Sequence, residues 1–449
     1  MPTPNRLKIA VVGTGISGLS AAWLLSQRHD VTLYERSGRV GGHSNTVMAT
    51  VGGQRIPVDT GFIVFNRTTY PNLTALFEHL GVPTQASNMS FGVSLDNGNF
   101  EYSGSGVAGL LAQPTNLFRP RFWSMLAEIK RFYREAARDA ASPDFDQLSL
   151  GQYLARGRYG EAFRYDHLLP MASAIWSAAP SDMLGYPMAS FARFCSNHGL
   201  LQISDRPIWE TVRGGSVTYV QKLLEPLAGR IRLNAHVTAV RRFPGEVLVS
   251  DLKGGTDSFD HVILATHADQ ALAVLADPSP LECSLLATIR YSRNVAVLHS
   301  DRAFMPRRRA AWSSWNYIGA GTTPQGSGCF TYWMNSLQNI PDATPLFVTL
   351  NPPHPPRAET VWHSEAYDHP IFDLTAVSAQ RRLWELQGTQ RTWFCGAHFG
   401  YGFHEDGLQA GLAVAEQLGG VRRPGTVPDE SGRIFVKGRP ARTAEDIAA

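Results

Sequence analysis

Leu7-Lys8-Ile9-Ala10-Val11-Val12-Gly13-Thr14-Gly15-Ile16-Ser17-Gly18-Leu19-Ser20-Ala21-Ala22-Trp23-Leu24-Leu25 decides the fold. Its opening apolar, β-branched run reads as a buried parallel strand, and Leu19 to Leu25 reads as a helix. A second strand, Asp30-Val31-Thr32-Leu33-Tyr34, ends on Glu35. Gly13 permits the tight turn, Gly15 lets the backbone approach a pyrophosphate, and Gly18 lets helix and strand pack closely. The phosphates then meet free N–H groups at the helix start, around Ile16 and Ser17. Glu35 is placed to accept hydrogen bonds from a ribose diol. A bare GxGxxG is a weak sign. Strand, glycines, helix and terminal acid together mark a dinucleotide-binding unit.

The next stretch, Glu35-Arg36-Ser37-Gly38-Arg39-Val40-Gly41-Gly42-His43, resembles the acid-to-double-glycine extension of the flavin amine oxidase and phytoene desaturase superfamily. That resemblance implies FAD. In the superfamily a Gly-Gly-Arg usually closes the motif; here His43 replaces the arginine, and Arg39, with Arg36 near it, supplies positive charge beside the phosphates. The same resemblance places Thr60-Gly61-Phe62 near the flavin and the backbone at Val237 against the adenine.

A second signature lies near the other end. Thr392-Trp393-Phe394-Cys395-Gly396-Ala397 is strand-like, and Gly402-Phe403-His404-Glu405-Asp406-Gly407-Leu408-Gln409-Ala410-Gly411 leads into a helix. Gly402, Glu405, Ala410 and Gly411 stand at the spacing of the superfamily's C-terminal flavin motif. The implied helix N-terminus aims its N–H groups at the flavin N1–O2 edge. Three residues depart from the pattern. His398 stands where an acid is usual, Asp406-Gly407 replaces Gly-Ala and puts a negative charge near the pyrimidine ring, and Phe403 replaces an amine-cage tyrosine. No cysteine matches the position of covalent flavin attachment, which implies non-covalent FAD.

The chain has 449 residues and a formal net charge of +3. That length suggests two to three domains, and so small a charge leaves no nucleic-acid footprint. No apolar run reaches the roughly 18 residues that span a bilayer. The apolar start follows Pro-Thr-Pro-Asn-Arg and is used as a strand rather than as a signal peptide. Cys195, Cys283, Cys329 and Cys395 lie far apart without metal spacing and read as reduced thiols of a cytoplasmic protein.

The expected architecture is α/β: a discontinuous Rossmann-like FAD domain (residues 1–80, 210–277 and 385–420) beside a substrate domain of mixed sheet and helical cap. The cap and the first substrate strands occupy 81–209, the rest of the sheet 278–384, and a loosely ordered tail 421–449. An Asn97-Gly98 turn marks one hairpin, and residues 90–102 are expected to join the strands near 295–298 and 329–335. Phe118 to Ala141 reads as one helix with Phe118, Phe122, Leu126, Ile129 and Tyr133 on its apolar face. Helices from Leu148 to Phe194 are expected to break at Pro170, Pro180 and Pro187.

Amine oxidases of this superfamily also place a lysine, through water, against the flavin. Here lysine occurs only at positions 8, 130, 222, 253 and 437. The aromatic set Trp176, Phe191, Phe194, Trp209, Trp312, Trp315, Phe330 and Trp333 suits a long apolar substrate. Tyr332-Trp333-Met334-Asn335 with Gly402 to Gly407 resembles a bacterial branch associated with fatty-acyl methyltransferases and cyclopropane synthases. The resemblance implies hydride abstraction from an acyl chain, by a desaturase or a redox-neutral isomerase, and a lipid-modifying enzyme as partner. A flavin amine oxidase and a non-catalytic FAD-containing partner of a lipid-modifying enzyme are the remaining alternatives. His404 is the first candidate base and Glu405 the next, with Phe403 on the reacting wall; His43 and His267 are weaker candidates. The basic, Trp- and Phe-bearing helix raises the expectation of peripheral contact with the inner membrane surface.

Overall fold

The computed structural model describes residues 6–139, 142, 145, 147–202, 206–319 and 328–436. Lys8–Val12 is the centre of a five-stranded parallel sheet, in the order Ile231–Arg232, Asp30–Tyr34, Lys8–Val12, His261–Leu264, Thr392–Phe394. Ile9 to Val12 are buried, as a parallel strand covered on both faces requires. Strands of three distant segments therefore complete one α/β sheet. The helix Ile16–Leu25 is buried along its whole length and packs against the helix His404–Gly419. A Cβ on Gly411 would lie 2.2 Å from the Ser17 carbonyl oxygen, so the small residues in the C-terminal signature allow this crossing.

A seven-stranded sheet forms the second layer, in the order Val361–Ile371, Arg290–His299, Phe347–Leu350, Gly328–Trp333, Trp315–Gly319, Phe91–Leu95, Phe100–Ser103. It joins residues 91–103 to the strands near 295 and 330, with its own apolar core. Between the layers lies the hairpin Thr46–Val51/Gln54–Asp59. Its Gly52 and Gly53 turn at φ 55° and 81°, the left-handed geometry that glycine tolerates. Asp59 staples this hairpin to the start of the helix Val217–Leu224, accepting from the Ser216 N–H (2.9 Å), the Ser216 and Thr46 hydroxyls and Gln338.

The cap differs from its sequence pattern in three places. The long helix runs Pro120–Asp139; Ala141 lies outside the described residues. Phe118 precedes that helix and is 87% exposed, so the core face is Phe122, Met125, Phe132 and Ala136 instead. Pro170 does not break its helix. A π-helical turn, Arg164–Leu168, leads into Leu169–Trp176. Pro170 has no N–H to give the Asp166 carbonyl, and the Tyr102 hydroxyl donates to it instead, at 2.9 Å. Pro180 and Pro187 do stand at helix starts. Residues 421–436 correct the expectation of a loose tail: Val421, Arg423, Val427 and Ile434 are buried, and Arg423 pairs with Glu416 (2.9 Å). Residues 437–449 lie outside the description. No helix among the described residues is long and apolar enough to cross a membrane.

Candidate active site

Both signature turns open into one cavity of about 1080 Å³. At one end its wall is mostly backbone: Gly13, Gly15, Ile16, Ser17, Gly42, Thr60, Gly61, Val237, Gly396 and Ala397. Glu35, Arg36, Arg39, His43, Phe62, Phe403 and His404 line it with side chains. The Ile16–Leu25 helix has no side-chain cap and no acid in its first turn, so its N–H groups are free to meet an anion. Nothing lies within 4 Å of where a Gly15 Cβ would stand, which leaves room for a phosphate. Glu35 is held by the Thr14 N–H (3.2 Å) and the Ser37 N–H (2.9 Å). The buried His398 Nε2, also in this wall, has no hydrogen-bond partner among the described residues. An anion cradle, a ribose acid and an orphaned polar atom along one lobe fit FAD. No described cysteine lines the cavity, so the wall offers no thiol for covalent attachment.

Six of the expected cofactor residues do not line the cavity. Gly18 acts behind the wall, since a Cβ there would sit 2.0 Å from the Gly13 carbonyl oxygen. Gly41 turns at φ 107° and donates to the Thr14 carbonyl (3.1 Å). Gly407 and Leu408 face the protein interior. Asp406 is fully buried and turned inward; its carboxylate accepts from the Phe403 N–H (2.8 Å) and faces Arg433 (3.5 Å). This corrects the expectation of a negative charge at the flavin. Glu405 is corrected as a catalytic candidate. Its carboxylate accepts from the Asn72 N–H (3.0 Å) and side-chain amide (2.8 Å), the Leu73 N–H (3.0 Å) and Gln409 (3.1 Å). It caps the helix Pro71–Leu80 and does not reach the cavity.

His404 does line the cavity. Its ring stacks on Phe62 (3.8 Å, 11°), and Nε2 hydrogen-bonds the Tyr219 hydroxyl (2.7 Å), which bonds Ser44 in turn. Enclosure lowers its pKa to about 3, well below the near-neutral value that best serves a general base. His43 packs on Tyr367 (4.8 Å) and His369 (5.2 Å), and burial holds its pKa well below the usual value. His43 is thus neutral, and Arg36 and Arg39 are the cations there. Arg39 bonds the Gly42 carbonyl (2.7 Å) and lies 3.4 Å from Glu365. His267 stacks on Tyr291 (4.4 Å).

Beyond Phe403 the cavity continues as an apolar lobe. Phe403 stacks on Phe194 (4.6 Å), which stacks on His198 (3.8 Å), with Trp176 edge-on to Phe403 (5.9 Å). Trp176, Phe194, Trp209 and Trp315 of the aromatic set line it. Phe191, Trp312, Phe330 and Trp333 do not; Trp312 and Trp333 instead hold Arg309 between them, at 4.1 Å each. Lys130 is the one lysine among the described residues on the cavity wall, on the cap helix and not in 278–384. Tyr219, His369 and Arg433 carried no sequence signal: His369 lines the cavity and Tyr219 holds His404 from segments without a motif, and Arg433 faces Asp406 behind the wall.

Residues 16–350 match the model of a family described as flavin containing amine oxidoreductase. The protein named flavin-containing monoamine oxidase AofH in Mycobacterium tuberculosis is 26% identical over 353 residues, 78% of this chain and 71% of the relative. A CLA-producing fatty acid isomerase from P. acnes superposes with a TM-score of 0.65 at 15% identity, covering 92% of this chain and 98% of that one. Cyclohexylamine oxidase from Brevibacterium oxydans IH-35A gives 0.65 at 17% identity, covering 92% and 100%. Such identities speak for the fold alone. With its two glycine signatures on one cavity and three quarters of its length matched, the chain belongs to the flavin-containing amine oxidoreductase family and is an FAD-dependent oxidoreductase.

Proposed function

We propose that the enzyme abstracts a hydride from an unsaturated or methyl-branched fatty-acyl chain and leaves a new double bond. The observation that carries this reading is the aromatic lobe beyond Phe403. The acids on the cavity wall, Glu35, Glu365 and Asp368, stand with the cofactor residues and His43, not along that lobe. Among the described residues an amine would find no carboxylate there, and a long apolar chain finds Phe194, Trp176, Met171 and Leu350.

Bound FAD supplies a two-electron acceptor. Phe403, Phe194 and Trp176 exclude water and orient the chain. One carbon gives up a C–H bond as hydride, its neighbour gives up a proton, and the electrons of that second bond form the C=C. Departure of hydride ahead of the proton makes the neighbouring carbon strongly acidic, so even a weak base suffices. His404, neutral at working pH, is the proposed acceptor of this proton, with Tyr219 holding its ring in place.

The second reading is a redox-neutral isomerase, in which the hydride returns to another carbon. The structural neighbour titled a fatty acid isomerase favours keeping it. We also propose contact with an anionic inner-membrane surface, and with a lipid-modifying enzyme that supplies the chain. Leu117, Phe118 and Trp123 are 40%, 87% and 52% exposed at the start of the cap helix, beside Arg119.

Anaerobic mixing of holoenzyme with unsaturated or methyl-branched acyl chains should bleach the flavin and yield a product lighter by two hydrogens. An isomer of equal mass with no acceptor consumed would establish the isomerase. Rapid bleaching by putrescine or cyclohexylamine would restore amine oxidation, and a flavin that none of these reduces would indicate a non-catalytic partner.

A further inference from the structure

Leu126, Ile129, Lys130 and Tyr133 recur at helical spacing on the cap helix, and all four line the outer part of the apolar lobe. Lys130 is exposed and charged, so this face ends at solvent. Arg206-Pro207-Ile208 also lines the lobe; Arg206 is exposed and Ile208 is 76% exposed. Arg206 stands close enough for its charge to bear on both Tyr133 and His167. Other cations of the helix are committed: Arg121 to Asp166 (2.6 Å), Arg131 to Glu135 (3.0 Å) and Arg138 to Asp139 (2.8 Å). Lys130 and Arg206 have no carboxylate partner among the described residues; Arg206 bonds only the Gln202 carbonyl (2.8 Å). Two cations without a carboxylate partner among the described residues, at the open end of a lobe whose described lining carries no acid, make a field that draws an anion to the mouth.

We propose that Lys130 and Arg206, with the Tyr133 hydroxyl, form the recognition site for the anionic head of an amphiphilic substrate, a carboxylate or a phosphate, whose chain fills the lobe. The proposal rests on the acyl-chain reading above and adds the end of the substrate that stays at the mouth. Charge-assisted hydrogen bonds from lysine and arginine are the strong kind, and at a mouth they fix which end of a chain enters first.

The test is equilibrium dialysis of the holoenzyme with radiolabelled oleate and methyl oleate below their aggregation limits. Wild-type protein should prefer oleate by about 10-fold or more, the scale of one charge-assisted contact. The double variant Lys130→Ala/Arg206→Ala should lose that preference and bind methyl oleate as wild type does. Both residues are exposed, and unchanged FAD content would report an intact fold. Equal binding of the two ligands by wild type, or an oleate preference that survives in the double variant, would overturn the head-group site and leave the acyl-chain reading standing. Binding of neither ligand would overturn both. Dioleoylphosphatidylglycerol and dioleoylphosphatidylcholine distinguish the sources. Competition by the first alone supports a lipid headgroup; competition by neither, with the oleate preference intact, supports a free fatty acid.

Discussion

The two ends of the cavity are built from different materials. At the cofactor end the wall is backbone, brought close by glycines whose spacing is set along the chain. At the substrate end the wall is side chains from the cap, the second sheet and the C-terminal signature, which meet only after folding. A backbone wall tolerates almost no added atom, whereas a side-chain wall can be reshaped one residue at a time. The cofactor end should therefore fail all at once and the substrate end by degrees.

The harshest test of that contrast is Gly18→Val. Its Cβ would meet the Gly13 carbonyl oxygen at 2.0 Å, and a main-chain oxygen cannot swing aside as a flexible side chain can. FAD bound per purified chain should fall to below roughly a tenth of wild type, the all-or-none failure expected of an overpacked backbone contact; near-full occupancy would refute a backbone-built cradle. Next in size is Glu405→Ala. It strands the buried N–H groups of Asn72 and Leu73, and leaves Arg433 without one of its two neighbouring acids. A loss of about 3–5 kcal/mol is expected in denaturant unfolding, with a smaller loss for Glu405→Gln. An unchanged midpoint would put Glu405 back among the candidates for chemistry.

Smaller still is the response to pH. His167, His198, His369, His398 and His404 all line the cavity, with pKa values lowered to about 4, 3, 4, 3 and 3 by burial. In the unfolded chain the same groups take up protons near about 6.5. The unfolded state thus binds more protons as pH falls through that value, and stability declines from about pH 7 towards 4. Asp59, raised to about 6 by burial, works the other way, as do Asp166, Glu405 and Asp406, also raised by burial; but His43, His261, His267 and His299 are lowered as well, and the imidazoles outnumber these carboxyls. The thermal midpoint should drop on acidification, and His369→Asn should flatten the slope. A midpoint that rises towards pH 5 would mean that these imidazoles are already charged in the fold.

The smallest expected effect is at His404. If its ring takes a proton from an already acidic carbon, His404→Gln should slow single-turnover flavin reduction by about 10-fold or less, below the 10²-fold scale of a well-matched general base. A loss of 10²-fold or more would give His404 a base strength that its surroundings do not suggest.

Much of the α/β framework was legible because local rules dictate it. The Lys8–Val12 strand, its glycine turn and the buried helix follow from spacing alone, and the expected joining of residues 90–102 to the strands near 295 and 330 is seen in the second sheet. The π-turn before Pro170 was not legible. The residue that makes it tolerable is Tyr102, on a strand more than sixty positions away. Nor was the order of residues 421–436, since nothing in a run of Pro, Gly and charge announces that Arg423 and Arg433 will find buried acids.

By itself the sequence determined the cofactor end of this protein: a dinucleotide cradle, its terminal acid, and a second signature returning to the same site. Spacing suffices there because glycine geometry and a helix N-terminus act over a few consecutive residues. Only the tertiary structure decided which acids and imidazoles reach the cavity. It turned Glu405 and Asp406 inward, neutralised the histidines by enclosure, and brought Lys130 and Arg206 to one mouth. Burial and electrostatic environment are properties of neighbours in space, and those neighbours lie tens to hundreds of residues apart in the chain.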